Sequence, residues 1–250
     1  PEVPAGQVVV RDLDARTTRV LTTAAGTGDP VGGARFATLS GDGRAVAWVG
    51  EQGPAQAPFA AGESLDPALP WILWRGVDAA PAAPAVRPAA TGDPQAPGCA
   101  LGQPGGPDCA GRLVLGFEVN GFPAPVALSR DGLRVAFVST LRPAAAEQLG
   151  EFGQADAFLA TLEPGRATAT SLRELTREGE SASSIENSSP IVGLGISGDG
   201  SSVAFTTART RFRLSTPVFL GETPTAGVDL ETYVADLRAD TVELVTQGVG

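Results

Sequence analysis

The chain contains no histidine, no lysine and no methionine, and only one tyrosine and two cysteines among 250 residues. Without histidine these residues hold no Ser-His-Asp triad and no imidazole metal ligand. Without lysine the stretch Gly102-Gln103-Pro104-Gly105-Gly106 lacks the cation of a phosphate loop, and it lacks the strand-to-helix setting as well. No apolar run approaches the roughly 20 residues that cross a bilayer, and no signal peptide opens the chain. With 28 acidic residues against 18 basic ones, the net charge of −10 disfavours nucleic acid and anionic membranes, whose affinity comes from neutralised phosphates.

Cys99 and Cys109 sit in a loop rich in proline and glycine, 94–111, where a crosslink would order the chain. A disulfide there is expected to contribute about 2 to 3 kcal/mol and places the chain in an oxidising compartment. The alternatives are a metal pair or a redox pair. Two thiolates without histidine are few for zinc, and nine intervening residues do not make Cys-x-x-Cys.

What the chain does contain is one phrase written three times: Leu39-Ser40-Gly41-Asp42-Gly43-Arg44-Ala45-Val46-Ala47-Trp48, Leu128-Ser129-Arg130-Asp131-Gly132-Leu133-Arg134-Val135-Ala136-Phe137 and Ile196-Ser197-Gly198-Asp199-Gly200-Ser201-Ser202-Val203-Ala204-Phe205. Asp-Gly suits a tight turn, because glycine accepts positive φ and aspartate bonds nearby amides. Apolar segments flank each turn, so each copy predicts a hairpin of strands A and B. The B strands are apolar at consecutive positions, as expected of a sheet covered on both faces. Asp42, Gly43, Asp131, Gly132, Asp199 and Gly200 are therefore expected to be structural turn residues.

A second pair, C and D, follows each hairpin. Glu231-Thr232-Tyr233-Val234-Ala235-Asp236-Leu237 turns into Val242-Glu243-Leu244-Val245-Thr246, which alternates like an edge strand. The chain opens on the same pattern, 8–13 and 18–22, with Asp12 over Asp236 and Thr22 over Thr246. Residues 157–162 with 171–176 form another copy, and 71–77 starts a degenerate one whose last strand is expected at 85–89. Four-stranded antiparallel units in series, each unable to bury both faces alone, are the blades of a β-propeller. The spacings of 89 and 68 residues between Ser40, Ser129 and Ser197 exceed a compact blade and require insertions.

These residues resemble the bacterial TolB-like, or WD-type, propeller repeat: Ser-x-Asp-Gly-x-x-Val-Ala-Phe, a strand ending in Asp-Leu, then one ending in Thr. The resemblance covers about 220 residues outside the Pro-rich insert. Trp48 stands where the repeat has Phe, Gly76 and Thr161 stand where Asp12 and Asp236 do, and no central Trp opens the A strands. The family includes periplasmic interaction domains, many proteins of unknown role and propellers attached to peptidases, so the functional implication is broad.

The expected fold is all-β, about three and a half blades of a larger propeller treated as one partial domain, 1–250. It divides into an outer half-blade at 1–23, blades at 34–91, 112–177 and 190–247, and the Pro/Gly-rich disulfide insert at 92–111. Because the chain opens on C and D, it reads as an excerpt, about half of a propeller of six to eight blades. A small closed propeller with an incomplete blade is the competing idea. An extracytoplasmic bacterial protein, periplasmic, secreted or at the cell surface, is expected; the Ala-, Gly-, Pro- and Arg-rich composition resembles that of a high-GC bacterial genome.

Function is less legible. In an antiparallel blade the A-B and C-D turns share one face, and the B-C and D-A connections share the other. The long segments 50–69, 140–155, 208–230, 92–111 and 177–189 are thus expected on the second face, where binding usually resides. The expected role is a binding or protein-interaction platform, a monomer within a longer chain, with a protein or carbohydrate partner, no nucleic acid and no cofactor. The alternative is the propeller domain of an enzyme: a carbohydrate-active enzyme using loop carboxylates, or a serine peptidase with its triad in another domain. Asp66, Asp78, Asp93, Asp108, Glu147, Glu151, Asp156, Glu222, Asp229 and Glu231 lie in or beside the long loops, where solvated acids are the commoner reading. Asp42, Asp131 and Asp199 do not match the sialidase Asp-box, in which one residue separates Asp from Gly, and no EF-hand loop is present. Trp71 and Trp74, with Phe59 and Phe122, could stack on a sugar, but a spacing of three puts the two indoles on opposite faces of a strand and at least one in inter-blade core. Arg209, Arg211 and Arg213 are read as salt links to acidic loops ahead of an anion site.

Overall fold

A computed structural model describes residues 5–50, 53–56, 71–91, 126–139, 156–166, 168–176, 191–207, 216–217 and 230–246. A two-stranded half-blade comes first, β1 (Val9–Asp12) paired antiparallel with β2 (Thr17–Val20). Blade 1 follows with β3 (Ala34–Leu39), β4 (Ala45–Gly50) and β5 (Trp71–Gly76), then β6 (Arg87–Thr91); a short helix, α1 (Gly53–Gln56), lies between β4 and β5. Blade 2 is the antiparallel sheet of β7 (Val126–Leu128), β8 (Arg134–Ser139), β9 (Asp156–Thr161) and β11 (Ser171–Glu174), with β10 (Thr168–Ala169) just before β11. Blade 3 is built of β12 (Ile191–Ile196), β13 (Ser202–Thr207), β15 (Glu231–Asp236) and β16 (Thr241–Leu244), and β14 (Thr216–Pro217) adds a fifth strand. The chain is a partial β-propeller of A-B-C-D blades. Among the described residues no helix is long and apolar enough to cross a membrane.

Three apolar cores fill the seams between successive blades. Alternation along the B strands explains how one strand serves two seams: Val46 and Trp48 face the half-blade, whereas Ala45, Ala47 and Val49 face blade 2. β8 does the same, with Val135 and Phe137 toward blade 1 and Ala136 and Val138 toward blade 3. Hence β4 is buried at every position. β13 alternates instead, burying Val203, Phe205 and Thr207 while Ser202, Ala204 and Thr206 remain half-buried, because only one of its faces meets another blade among the described residues. Phe137 stacks on Phe158 and Phe205 on Tyr233, each pair with centroids 5.7 Å apart across adjacent strands of one blade.

Two strands depart from the simple blade. The last strand of blade 1 meets β5 only at the Trp74–Val86 bridge and then runs parallel to β10 of blade 2, with Arg87 opposite Thr168. Pro84 stands just before this stretch and Pro88 within it, and neither has an amide to donate, which explains why an antiparallel D strand over 85–89 does not form. In blade 3 the B-C connection sends β14 along the outer edge of β16, Thr216 opposite Thr241, so the edge strand is covered.

Candidate functional site

Each Ser-x-Asp-Gly turn is a closed hydrogen-bonded unit. Ser40 Oγ donates to Asp42 Oδ1 (2.7 Å), Ser129 Oγ to Asp131 Oδ1 (2.6 Å) and Ser197 Oγ to Asp199 Oδ1 (2.7 Å). The same carboxylate oxygen accepts the amide two residues on, from Arg44 (2.9 Å), Leu133 (3.0 Å) and Ser201 (3.0 Å). The serine hydroxyl in turn accepts the first amide of the B strand, Ala45, Arg134 or Ser202. The Asp42 carboxyl is lowered below its usual range by the Ser40 hydroxyl and then the Arg44 amide. That of Asp199 is lowered further, by the Ser201 amide first and then by the hydroxyls of Ser197 and Ser201. Bonds of this kind favour the ionised forms of Asp42 and Asp199 and serve the turn, so these two are poor proton carriers.

The turns are also linked from blade to blade. The Asp42 amide donates to the Arg130 carbonyl (2.9 Å), and the Arg130 amide donates to the Gly198 carbonyl (2.8 Å). Gly132 is held at φ +71° with Ala45 Cβ only 2.5 Å from where its own Cβ would stand, so both the turn and the seam require glycine. Trp74 Nε1 donates to the Gly132 carbonyl (2.8 Å) and its ring packs on the core between blades 1 and 2, which takes it out of any sugar-stacking role.

C-D turns lie at the same end of the blades. Asp12 accepts the Ala15 amide, Asp236 accepts those of Arg238 and Ala239, and the fifth residue of each turn, Arg16 or Asp240, takes positive φ. Blade 2 has Thr161 in place of the aspartate and Gly165 at the positive-φ position. The Ala239 and Arg238 amides lower the Asp236 carboxyl. An arginine at one fixed place in the D strand clasps the next blade: Arg19 reaches the Val77 carbonyl and Asp78, and Arg173 reaches the Leu237 carbonyl and Asp240. The threonine that closes the D strand accepts the amide that opens the C strand, Thr22 from Val8, Thr176 from Ala157 and Thr246 from Thr232. The recurrence of Thr in three D strands, and of Arg three residues before it in two of them, was the signal for these links.

The opposite end is where the long connections start. Ala45 lies across from Gly76, Arg134 from Thr161 and Ser202 from Asp236 at the turn end, while Gly50 with Trp71, Ser139 with Asp156 and Thr207 with Glu231 close the far end. Segments 51–70, 140–155 and 208–230 leave from that far end. The third does not stay there, because Thr216–Pro217 pairs beside Thr241 at the turn end of β16. Cys99, Cys109, Arg209, Arg211, Arg213, Phe59, Phe122 and the side chains of Asp66, Asp93, Asp108, Glu147, Glu151, Asp156, Glu222, Asp229 and Trp71 lie outside the described residues. Of the remaining loop acids, exposed Asp78 is paired with Arg19 at 3.1 Å and Glu231 accepts from Thr246 Oγ1. Among the described residues no group of three acidic or cysteine side chains could hold a metal ion.

Sequence reasoning passed over Arg75. It is almost fully buried, and its guanidinium donates to the carbonyls of Leu21, Ala80, Pro81 and Ala83 and to Thr23 Oγ1, at 2.6 to 2.8 Å. Burial lowers its pKa from the ordinary arginine value. Its counterparts are Ala160 and Ala235 in blades 2 and 3 and the exposed Arg11 in the half-blade, so an arginine where the other two whole blades carry alanine was the available signal.

Blades of this kind define a β-propeller protein whose turn end is committed to its own structure. No protein-family model matches the chain, and no curated protein matches it in sequence. In fold it resembles TolB from Acinetobacter baumannii, with 14% identity and a TM-score of 0.43 over 96% of this chain and 37% of that one. It also resembles the tricorn protease (7% identity, TM-score 0.48, 92% of this chain and 16% of that one) and a prolyl endopeptidase (13%, 0.41, 96% and 26%). The chain thus spans well under half the length of each of these structures. All three TM-scores are low, and the propeller assignment rests on the blades themselves.

Proposed function

We propose that the chain is an extracytoplasmic binding platform whose partner, a protein or a carbohydrate, meets the end of the blades opposite the Ser-x-Asp-Gly turns. The observation that carries this reading is the strand register, which sends 51–70 and 140–155 out from one end while the carboxylates of the other end are occupied by their own turns. Long connections on a rigid sheet scaffold are the usual seat of recognition. Thr176, which takes the Ala157 amide, and Ile191, opposite Thr207, stand at that same end on either side of the third D-A connection. A disulfide between Cys99 and Cys109 would stiffen the insert at 92–111 and fits an oxidising compartment.

Peptide and glycan arrays probed with the intact chain test the reading. Signals are expected to survive Asp42→Asn and Asp131→Asn, and to disappear when 51–70, 92–111 and 140–155 are replaced by short turns in a chain that still unfolds cooperatively. Signals that persist after all three replacements would overturn it.

A further inference from the structure

Three features of blade 1 converge on one spot, and two of them set it apart from blades 2 and 3. Its B strand carries Trp48 where the others carry Phe137 and Phe205, and two residues later Gly50 where they carry Ser139 and Thr207. Its B-C connection places a short helix, α1, against the blade, and that helix ends in Gln56. Trp48 is 0% exposed and Gln56 1%. Among the described residues, the indole Nε1 of Trp48 and both Oε1 and Nε2 of Gln56 have no hydrogen-bond partner. A Cβ on Gly50 would stand 3.4 Å from that Nε1 and 3.3 Å from that Nε2, with Leu73 Cδ1 closing the other side at 2.9 Å.

Buried polar atoms in folded proteins find a partner, either protein or an ordered water with two to four bonds. The indole nitrogen can only donate, and the carboxamide can donate and accept. A neutral molecule able to accept from the indole and to bond the carboxamide satisfies this set, and sealed atoms with almost no exposure restrict it to the size of water. We infer that Trp48, Gln56 and the bare Cα of Gly50 form a built hydration site, whose water accepts from Trp48 Nε1 and bridges to the Gln56 carboxamide. The bridge fastens α1, and with it the base of the 51–70 connection, onto the B strand. The Ala85 amide, which donates to the Gln56 carbonyl at 2.8 Å, is the second fastening. Position 50 has to stay bare, since a side chain there, such as that of serine or threonine, would press on Leu73 Cδ1, Gln56 Nε2 and Trp48 Nε1.

A high-resolution crystal structure of the chain is the direct test. One water peak is expected within about 2.7 to 3.2 Å of Trp48 Nε1 and of one carboxamide atom of Gln56. Density that brings Gln56 Oε1 itself to that distance from Nε1, or a gap with no ordered peak, overturns the site. In solution the Trp48 indole proton is expected to show a magnetisation-transfer peak to water, and Gly50→Ala is expected to abolish it. A wild-type spectrum without that peak, or a folded Gly50→Ala protein that retains it, overturns the inference equally.

Discussion

The seam between the half-blade and blade 1 and the seam between blades 2 and 3 join the same kinds of strand by different chemistry. At the second seam Val203, Phe205, Tyr233 and Ala235 of blade 3 pack on Ala136, Val138, Ala157 and Leu159 of blade 2, an apolar core. At the first, a smaller core of Val8, Leu21, Val46, Trp48, Leu73 and Ala85 is flanked by the guanidinium of Arg75. Among the described residues, the buried polar atoms without partners, on Gln7, Trp48, Gln56 and Arg75, all belong to the half-blade or blade 1. The half-blade also leaves bare what whole blades cover. Val9 is 50% and Leu13 81% exposed, whereas Phe158 and Leu162, at the same places in blade 2, are each 2% exposed. Apolar seams are strong but indifferent to partner geometry; a polar seam stands or falls with its donors and acceptors.

The largest effect expected is at the apolar seam. Phe205→Ala removes a fully buried ring stacked on Tyr233 and is expected to cost about 3 to 5 kcal/mol in urea unfolding. Tyr233, the chain's one tyrosine, is pushed up to about 12 by burial and then by the Glu231 charge. Its raised value means that stability is full below about pH 10 and is lost as pH rises toward the folded pKa. Spectrophotometric titration should therefore show the phenol falling back toward its ordinary range in Phe205→Ala. A loss under about 1 kcal/mol with an unmoved phenol would break the contrast between the seams.

Arg75→Lys sharpens the contrast from the polar side. Lysine keeps the charge but cannot spread three donors over four carbonyls and a hydroxyl, so a loss of about 2 kcal/mol is expected. Amide exchange should rise in β1 and β2 and stay unchanged in β13. A uniform rise across the blades would mean that Arg75 supports the whole array and that the two seams are not separate.

These two residues also show what a sequence displays and what it hides. The Ser-x-Asp-Gly turns were legible because their bonds close within six residues, and the double burial of β4 was legible from consecutive apolar side chains. The links of Arg75 run 52 and 54 residues back to Thr23 and Leu21, beyond any local pattern. The same holds for the parallel contact of β6 with β10 and for β14 lying along β16, where proline-containing or edge strands found partners that no hairpin rule supplies. As for the candidate site, the polarity of the blades was readable, and the occupation of each turn carboxylate followed from the same short-range chemistry. The meeting of Trp48 Nε1 and the Gln56 carboxamide beside Gly50 was not readable, because it needs α1 folded against β4.

The smallest effect expected distinguishes local turns from both seams. Asp199 holds the Ser201 amide and hydroxyl, the Ser197 hydroxyl and the exposed guanidinium of Arg238. All of these favour its ionised form, so its folded pKa lies below the ordinary carboxylate value. The sign follows: its contribution is present above an unfolded pKa of about 3.9 and is lost as pH falls toward the lower folded value. Asp199→Asn removes that dependence while keeping one oxygen for the Ser201 amide. Stability measured from about pH 5 down to pH 2 should then fall less steeply in the variant than in the parent chain. Arg75→Lys should leave the steepness of that limb as it is, since both side chains stay charged throughout. An acid limb unaltered by Asp199→Asn would place the titrating groups elsewhere, and Asp42 and Asp236, lowered by the same kind of bonds, are the next to substitute.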